Sequence, residues 1–212
     1  MSTQPGLRER KKQKTRQQIA DTAWRLFAAR GFDRVTVAEL AREADVAEAT
    51  VFNYFPTKED LVYHRMEAFE EEMLAAIRDR APGESIVDAF GRFVLKPRGA
   101  LASADERATE NMATFARVIT GSPALLARER QIFERYTRTL AALIAEEREM
   151  APDDIEPWVI ANALLGLHRA LIDYVRRQAL AGTENTRSVR NMRTHAKRAL
   201  AELKHGLDRR RR

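Results

Sequence analysis

The 212-residue chain contains no cysteine, which excludes a disulfide framework and any thiolate metal site. No segment approaches the roughly 20 continuous apolar residues of a transmembrane helix, and no apolar signal-peptide stretch follows the basic N-terminus. A soluble, cytoplasmic protein with no membrane partner is therefore expected. Histidine is scarce: His64, His168, His195 and His205 are the only four, at no spacing that would assemble a zinc site, and there is no glycine-rich phosphate loop. The acidic runs Glu70 to Glu72 and Glu146-Glu147 read as solvated helix faces. With no catalytic constellation in view, neither an enzyme, a cofactor nor a bound metal is expected. Strand patterns, internal repeats and low-complexity stretches are missing as well.

What the chain does have is localised positive charge. Its 37 Lys+Arg stand against 31 Asp+Glu, a formal charge of +6, and such a balance favours an anionic partner, nucleic acid before membrane. Arg8, Arg10, Lys11, Lys12, Lys14 and Arg16 are opposed within their segment only by Glu9. That run is suited to lie along phosphates, each contact releasing counterions and steepening the salt dependence of binding. Arg209 to Arg212 close the chain and read either as a solvated tail or as a second DNA contact.

Close behind the basic run, the spacing of apolar residues predicts two short helices joined by a tight turn. Val37, Leu40, Ala41 and Ala44 recur at i, i+3, i+4 and i+7, with Thr36 placed to cap the helix they define. Asp45 falls at the turn, where a short polar side chain tolerates positive φ better than most. Val46, Val51 and Phe55 then pin a second helix against the first and leave Glu48, Ala49, Thr50, Asn53 and Tyr54 directed largely outward. Short donors and acceptors on such a face are what base edges in the major groove require. Pro56 closes the segment, and Thr57-Lys58-Glu59-Asp60 reads as an N-cap with an acid at N3. This is a helix-turn-helix, and DNA binding is its natural use.

The rest is helix after helix. The first spans residues 12 to 30 and ends on Gly31; a long helix is expected over 58 to 80, followed by helices over 85 to 95, 104 to 120, 123 to 150, 155 to 180 and 187 to 207. Ser122-Pro123 suits an N-cap and N1 pair. The expected fold class is all-α: a three-helix helix-turn-helix DNA-binding head on a larger helical C-terminal domain, to which the family likeness given below adds ligand binding and dimerisation. Its divisions are a basic N-terminal arm (1–11), the helix-turn-helix domain (12–57), the helical body (58–208) and a basic tail (209–212).

Two runs carry a family likeness. Leu26-Phe27-Ala28-Ala29-Arg30-Gly31-Phe32-Asp33-Arg34-Val35-Thr36-Val37-Ala38-Glu39-Leu40-Ala41 and Ala49-Thr50-Val51-Phe52-Asn53-Tyr54-Phe55-Pro56-Thr57-Lys58-Glu59-Asp60-Leu61 closely resemble the N-terminal signature of the TetR family of transcriptional regulators. The resemblance covers roughly residues 12 to 62; beyond it only length, helix count and helix order agree. It implies a homodimer on a palindromic double-stranded DNA operator, usually a repressor released by a small-molecule effector bound in the C-terminal domain. The alternatives are an activator, a regulator answering to a protein partner, and a helical enzyme or assembly module with a vestigial head.

Carried over residue by residue, the resemblance implies phosphate contact for Thr36 and Lys58, base contact for Glu48, Ala49, Thr50 and Asn53, and either for Tyr54. Glu48 admits two readings: acceptance from cytosine N4, or electrostatic support of its own helix N-terminus. Asn53 has the geometry for bidentate adenine recognition and equally for a phosphate. The chain departs from the family pattern at Asp45, where Gly is common, at Ala47 (Ser), at Ala49 (Gly) and at Phe52 (Tyr), so a phenolic phosphate contact is missing at the last. In the body, Met112, Phe115, Tyr136 and His168 are the candidate effector contacts, each with a plain core reading beside it. Ile160, Leu164, His168, Leu171 and Val175 share one face of their helix, and Trp158, Asn162, Gly166, Arg169 and Asp173 another. By resemblance, the last two helices pair with their twins, and the seam Val189, Met192, Ala196, Leu200, Leu203 and Leu207 suits that use.

Overall fold

The computed structural model describes residues 6–64, 66–96, 102, 106–151 and 153–207. Among them there are ten helices and no strand, and no helix is long and apolar enough to cross a membrane. The chain divides into two units, one of residues 1–66 with 118–128 and one of residues 67–117 with 129–212.

The first unit is built on α1 (Leu7–Arg30), α2 (Val37–Glu43), α3 (Glu48–Tyr54) and α4 (Asp60–Tyr63). Ile19, Ala23 and Phe27 of α1 meet Phe32, Val35, Leu40, Ala41, Ala44, Val51 and Phe55, all at most 3% exposed. Burying this many large apolar side chains, each worth about 1.5–3 kcal/mol, holds helices that at seven residues would not persist alone. Thr36 caps α2, its hydroxyl accepting from the Glu39 amide at 3.1 Å. The other end of α2 closes through a Schellman arrangement: Asp45 sits at φ 53°, its amide donates to Arg42 O, and the Val46 amide donates to Ala41 O at 3.0 Å. That satisfies carbonyls the helix end would otherwise orphan. The Ala44 carbonyl is taken separately, by Gln18 Nε2 of α1 at 2.9 Å, so the turn is tied to the longest helix of the unit.

Helix α1 starts at Leu7, so the basic run expected as an arm forms its first turns instead. The helix expected over 58 to 80 is seen as α4 followed by α5 (Met66–Arg78). The reciprocal pair read at its start is present in the turn that leads into it, Thr57 Oγ1 accepting from the Asp60 amide at 3.3 Å while Asp60 Oδ2 accepts from the Thr57 amide at 3.0 Å, whereas α4 itself opens on Glu59 without a side-chain cap. At the end of α4, His64 Nδ1 hydrogen-bonds the Leu61 carbonyl at 3.0 Å.

The first turns of α8 (Pro123–Glu147) also belong to this unit. Ser122, 1% exposed, donates its hydroxyl to Asp33 Oδ1 at 2.7 Å. Arg128 reaches Asp60 Oδ1 through Nε at 3.1 Å and Nη2 at 2.7 Å, and the Tyr63 hydroxyl donates to the Leu125 carbonyl at 3.0 Å. The α1–α2 loop and α4 are thereby bonded to the start of α8.

The second unit holds α5, α6 (Ile86–Val94), α7 (Glu106–Thr120) up to Arg117, the remainder of α8, α9 (Ile155–Leu180) and α10 (Asn185–Leu207). Met73, Ile77, Phe90, Tyr136, Leu140, Ile144 and Leu164 are fully buried at its centre. Helix α9 divides as its periodicity predicts. Ile160, Leu164, Leu171 and Val175 are buried, while Trp158, Asn162, Gly166 and Arg169 are exposed and Asp173 is half-exposed. The α10 seam is the correction. Val189, Met192, Ala196 and Leu200 are at most 9% exposed in the single chain, consumed against α9 and α6 rather than left for a twin, while Leu203 is half-buried and the Leu207 side chain lies outside the described residues. Leucine packing there is close enough that a Cβ on Gly91 of α6 would lie 2.9 Å from Leu200 Cδ1. One charged pair is buried with this core: Arg176 of α9 makes a bidentate contact to Glu129 of α8, Nη1 to Oε1 at 2.9 Å and Nη2 to Oε2. The helix start predicted at residue 104 and the tail 209–212 lie outside the described residues.

Candidate nucleic-acid interface

Helix α3 is clamped on one side and open on the other. Val51 and Phe55, both 1% exposed, fill the core side, and the guanidinium of Arg16 lies 5.2 Å from the Phe55 ring centroid. On the far side Glu48, Ala49, Phe52 and Asn53 are exposed, with Thr50 and Tyr54 half-buried at the margins. Ala47, the N-cap of α3, supplies no side-chain cap. Glu48 in the first turn is then the group that complements the positive end of the helix. Thr36 is exposed at the start of α2; its hydroxyl oxygen is used in capping, which leaves its proton for an acceptor such as a phosphate oxygen. Arg8, Arg10, Lys11, Lys12 and Lys14 are exposed along the beginning of α1.

Lys58 is placed differently from its sister candidates. Its ammonium turns inward, donating to the Phe32 carbonyl at 2.7 Å and lying 4.1 Å from the centroid of the Phe32 ring and 5.8 Å from that of Phe27. Desolvation in this setting lowers its pKa, against the carboxylates of Asp33 and Glu59, which raise it. A carbonyl and two aromatic faces make a cation-binding box, and in this structure the box holds the protein's own lysine. Six of the seven expected contacts therefore border the open side of α2 and α3, and the seventh fastens the α1–α2 loop.

Phe52 is the residue the sequence reading left out of the contact set. It is 47% exposed, one turn beyond Glu48, and its phase relative to buried Val51 and Phe55 was the available signal.

Of the four body candidates, the structure brings two together. Tyr136 is fully buried, its ring 5.8 Å from Phe69 and 5.9 Å from Phe133. His168 is half-buried and stacks on Phe69 at 4.7 Å, with Phe133 at 5.8 Å. Met112 instead lines a cleft with Val175, Ala179 and Ser188 that is too narrow to admit a water molecule. Phe115 is half-buried on α7 and does not line that cleft. Among the described residues no cluster of His, Cys, Asp or Glu is arranged to hold a metal ion.

Comparison with known proteins agrees with this geometry in both parts of the chain. Residues 19–64 match the profile of bacterial regulatory proteins of the tetR family, and residues 81–207 that of the MftR C-terminal domain. The chain is 30% identical over 152 residues to the HTH-type transcriptional regulator TcmR of Streptomyces glaucescens, covering 71% of this chain and 67% of TcmR. It is 30% identical over 159 residues to the nucleoid occlusion factor SlmA of Vibrio vulnificus, covering 74% and 81% respectively. The crystal structure of NalD from Pseudomonas aeruginosa, the secondary repressor of the MexAB-OprM multidrug efflux pump, has the same fold: TM-score 0.56 at 18% identity, over 88% of this chain and 97% of that one. These matches extend over the helix-turn-helix and the helical body alike. The protein is a DNA-binding transcriptional regulator of the TetR family.

Proposed function

We propose that this regulator acts as a homodimeric repressor in the cytoplasm, seated on a palindromic operator at the nucleoid until a small-molecule effector binds the helical body. The open face of α3, held rigid by the capped and Schellman-closed α2, carries the reading. In it Glu48, Ala49, Thr50 and Asn53 meet bases, Tyr54 meets phosphate or base, and Thr36 meets phosphate. The basic start of α1 adds phosphate contacts. Lys58 reaches phosphate only by giving up the Phe32 carbonyl, a cost that restricts it to the bound state.

Dimerisation is assigned to α9. Ile155, Trp158 and Val159 are 73%, 40% and 51% exposed, and exposed Gly166 has nothing within 4 Å of where a Cβ would stand, so a second helix backbone has room to approach. An apolar stretch of this kind is a cost for a monomer in water. Tyr136 and His168, with Met112 and Phe115 as outlying members, are the assigned effector contacts. Binding there would favour one of two states differing in the separation of the heads.

A reporter driven by the DNA upstream of the gene, compared with and without the gene, tests the direction of control. Expression that rises on deletion supports repression, and expression that falls makes the protein an activator. Release by an effector requires that operator weaken effector binding by the same factor as effector weakens operator binding; equal affinities in the two states would remove that part of the proposal. The likeness to a nucleoid occlusion factor gives a second reading, in which the chain acts in nucleoid occlusion as well as at its promoter. Genome-wide occupancy separates the two.

A further inference from the structure

We propose that Phe52 determines operator specificity by packing its ring against the 5-methyl group of a thymine in the major groove. This rests on α3 being the recognition helix and says which chemistry one of its positions selects. The chain has nine phenylalanines. Phe27, Phe32, Phe55, Phe90, Phe93 and Phe133 are buried, Phe69 and Phe115 half-buried, and Phe52 alone is exposed. Its exposure does not come from a loosely seated helix, because the residues on either side of its phase, Val51 and Phe55, are buried to 1%. At 47% exposure about half of the ring is left uncovered by the fold, free to meet a partner of the recognition helix.

The ring has no hydrogen-bonding group, so it cannot read a phosphate oxygen or a polar base edge. The major-groove edges of the four base pairs display one apolar group among their donors and acceptors, the C5-methyl of thymine. Ala49, exposed one turn earlier on the same side, extends the apolar patch. Glu48 and Asn53 flank it with an acceptor and an amide. A protein partner would find here a patch of only two apolar side chains bordered by a carboxylate, much smaller than a stable interface. A groove that alternates methyl groups with polar edges fits it.

Deoxyuridine differs from thymidine at this edge by the methyl alone and pairs identically. Burying one methyl group is worth about 0.8 kcal/mol, or about fourfold in affinity per half-site and about 15-fold for two. The full-length protein should be used to select duplexes from a random-sequence library, and an enriched duplex resynthesised with deoxyuridine replacing each thymine in turn. One thymine per half-site is expected to show the fourfold loss, and Phe52→Ala should bind the thymine and uracil duplexes equally while keeping its unfolding transition. Wild-type protein indifferent to every replacement, or Phe52→Ala still preferring thymine at that position, would overturn the assignment. A library from which nothing is enriched would instead overturn the reading of α3 on which it rests.

Discussion

Asp60 uses its two carboxylate oxygens for different purposes, and this allows a stability effect to be divided. Oδ2 accepts the Thr57 amide at 3.0 Å and caps the turn that leads into α4; Oδ1 accepts Arg128 Nε and Nη2 at 3.1 and 2.7 Å and bonds α4 to the start of α8. The side chains are 16% and 30% exposed, so solvent screens the pair only in part. Losing a cap acceptor costs about 1 kcal/mol, and losing a charge-assisted hydrogen-bonded pair in this setting about 2 kcal/mol. Asp60→Ala should then cost about 3 kcal/mol, and Arg128→Met about 2, because it leaves the cap intact. Adding Arg128→Met to Asp60→Ala should cost almost nothing more, since the bond between them is already gone. The chain has two tryptophans, Trp24 in the first unit and Trp158 in the second. In a Trp158→Phe background, urea unfolding followed by fluorescence therefore reports on the first unit alone. A cost below about 1 kcal/mol for Asp60→Ala, or strictly additive single variants, would refute the division of labour.

The Glu129–Arg176 pair is buried at both ends, so Glu129→Ala should cost about 3–5 kcal/mol by stripping a buried guanidinium of its bidentate partner, with the Asp173 carboxylate 3.8 Å away a weaker substitute, whereas Glu129→Leu with Arg176→Met should recover most of it. Thermal unfolding checks this, and a double variant as unstable as the single one would contradict it. Asn53→Ala should weaken operator binding by about 1–3 kcal/mol and relax selectivity at one base pair if the amide reads adenine; competition with operator variants showing a uniform loss would place Asn53 on a phosphate. Hydrogen bonding from Lys204, and then from Ser85, lowers the Asp88 pKa. A depressed folded-state value means stability that is present at neutral pH and is lost as pH falls below about 4. With both side chains more than a third exposed, the amount is under about 1 kcal/mol. Wild type and Lys204→Met should therefore converge in acid titrations, and a gap that widens toward low pH would contradict the sign.

The head was legible in the sequence because its signals are local. Thr36, Asp45, Gly31 and the Thr57–Asp60 box each act within four or five residues, and the structure shows each in the expected conformation. Lys58 was not legible, since its place depends on a carbonyl 26 residues earlier that no spacing rule connects to it. The α10 seam shows the same limit. Periodicity identified Val189, Met192, Ala196 and Leu200 as apolar, but an apolar stripe is alike whether its cover is the same chain or another. Only the packing of α6, with Gly91 opened toward Leu200, reveals that the cover is internal. Glu129 and Arg176 lie 47 positions apart and announced nothing as separate charges. The start of the basic run was misjudged for a related reason: lysine and arginine are good helix formers, so charge alone does not separate an arm from the first turns of a helix.

If two copies join through α9, each complex must present two α3 helices together, and protein and operator then share a twofold axis. Light scattering of the full-length protein on a duplex selected from random sequence measures the number of chains bound while the selected sequence reveals its symmetry. Two chains, or a multiple of two, on an inverted repeat with half-sites about 34–36 Å apart or a multiple of that spacing is the expected result, with Trp158→Arg reducing both assembly and affinity. One chain bound to a site without inverted symmetry would contradict it.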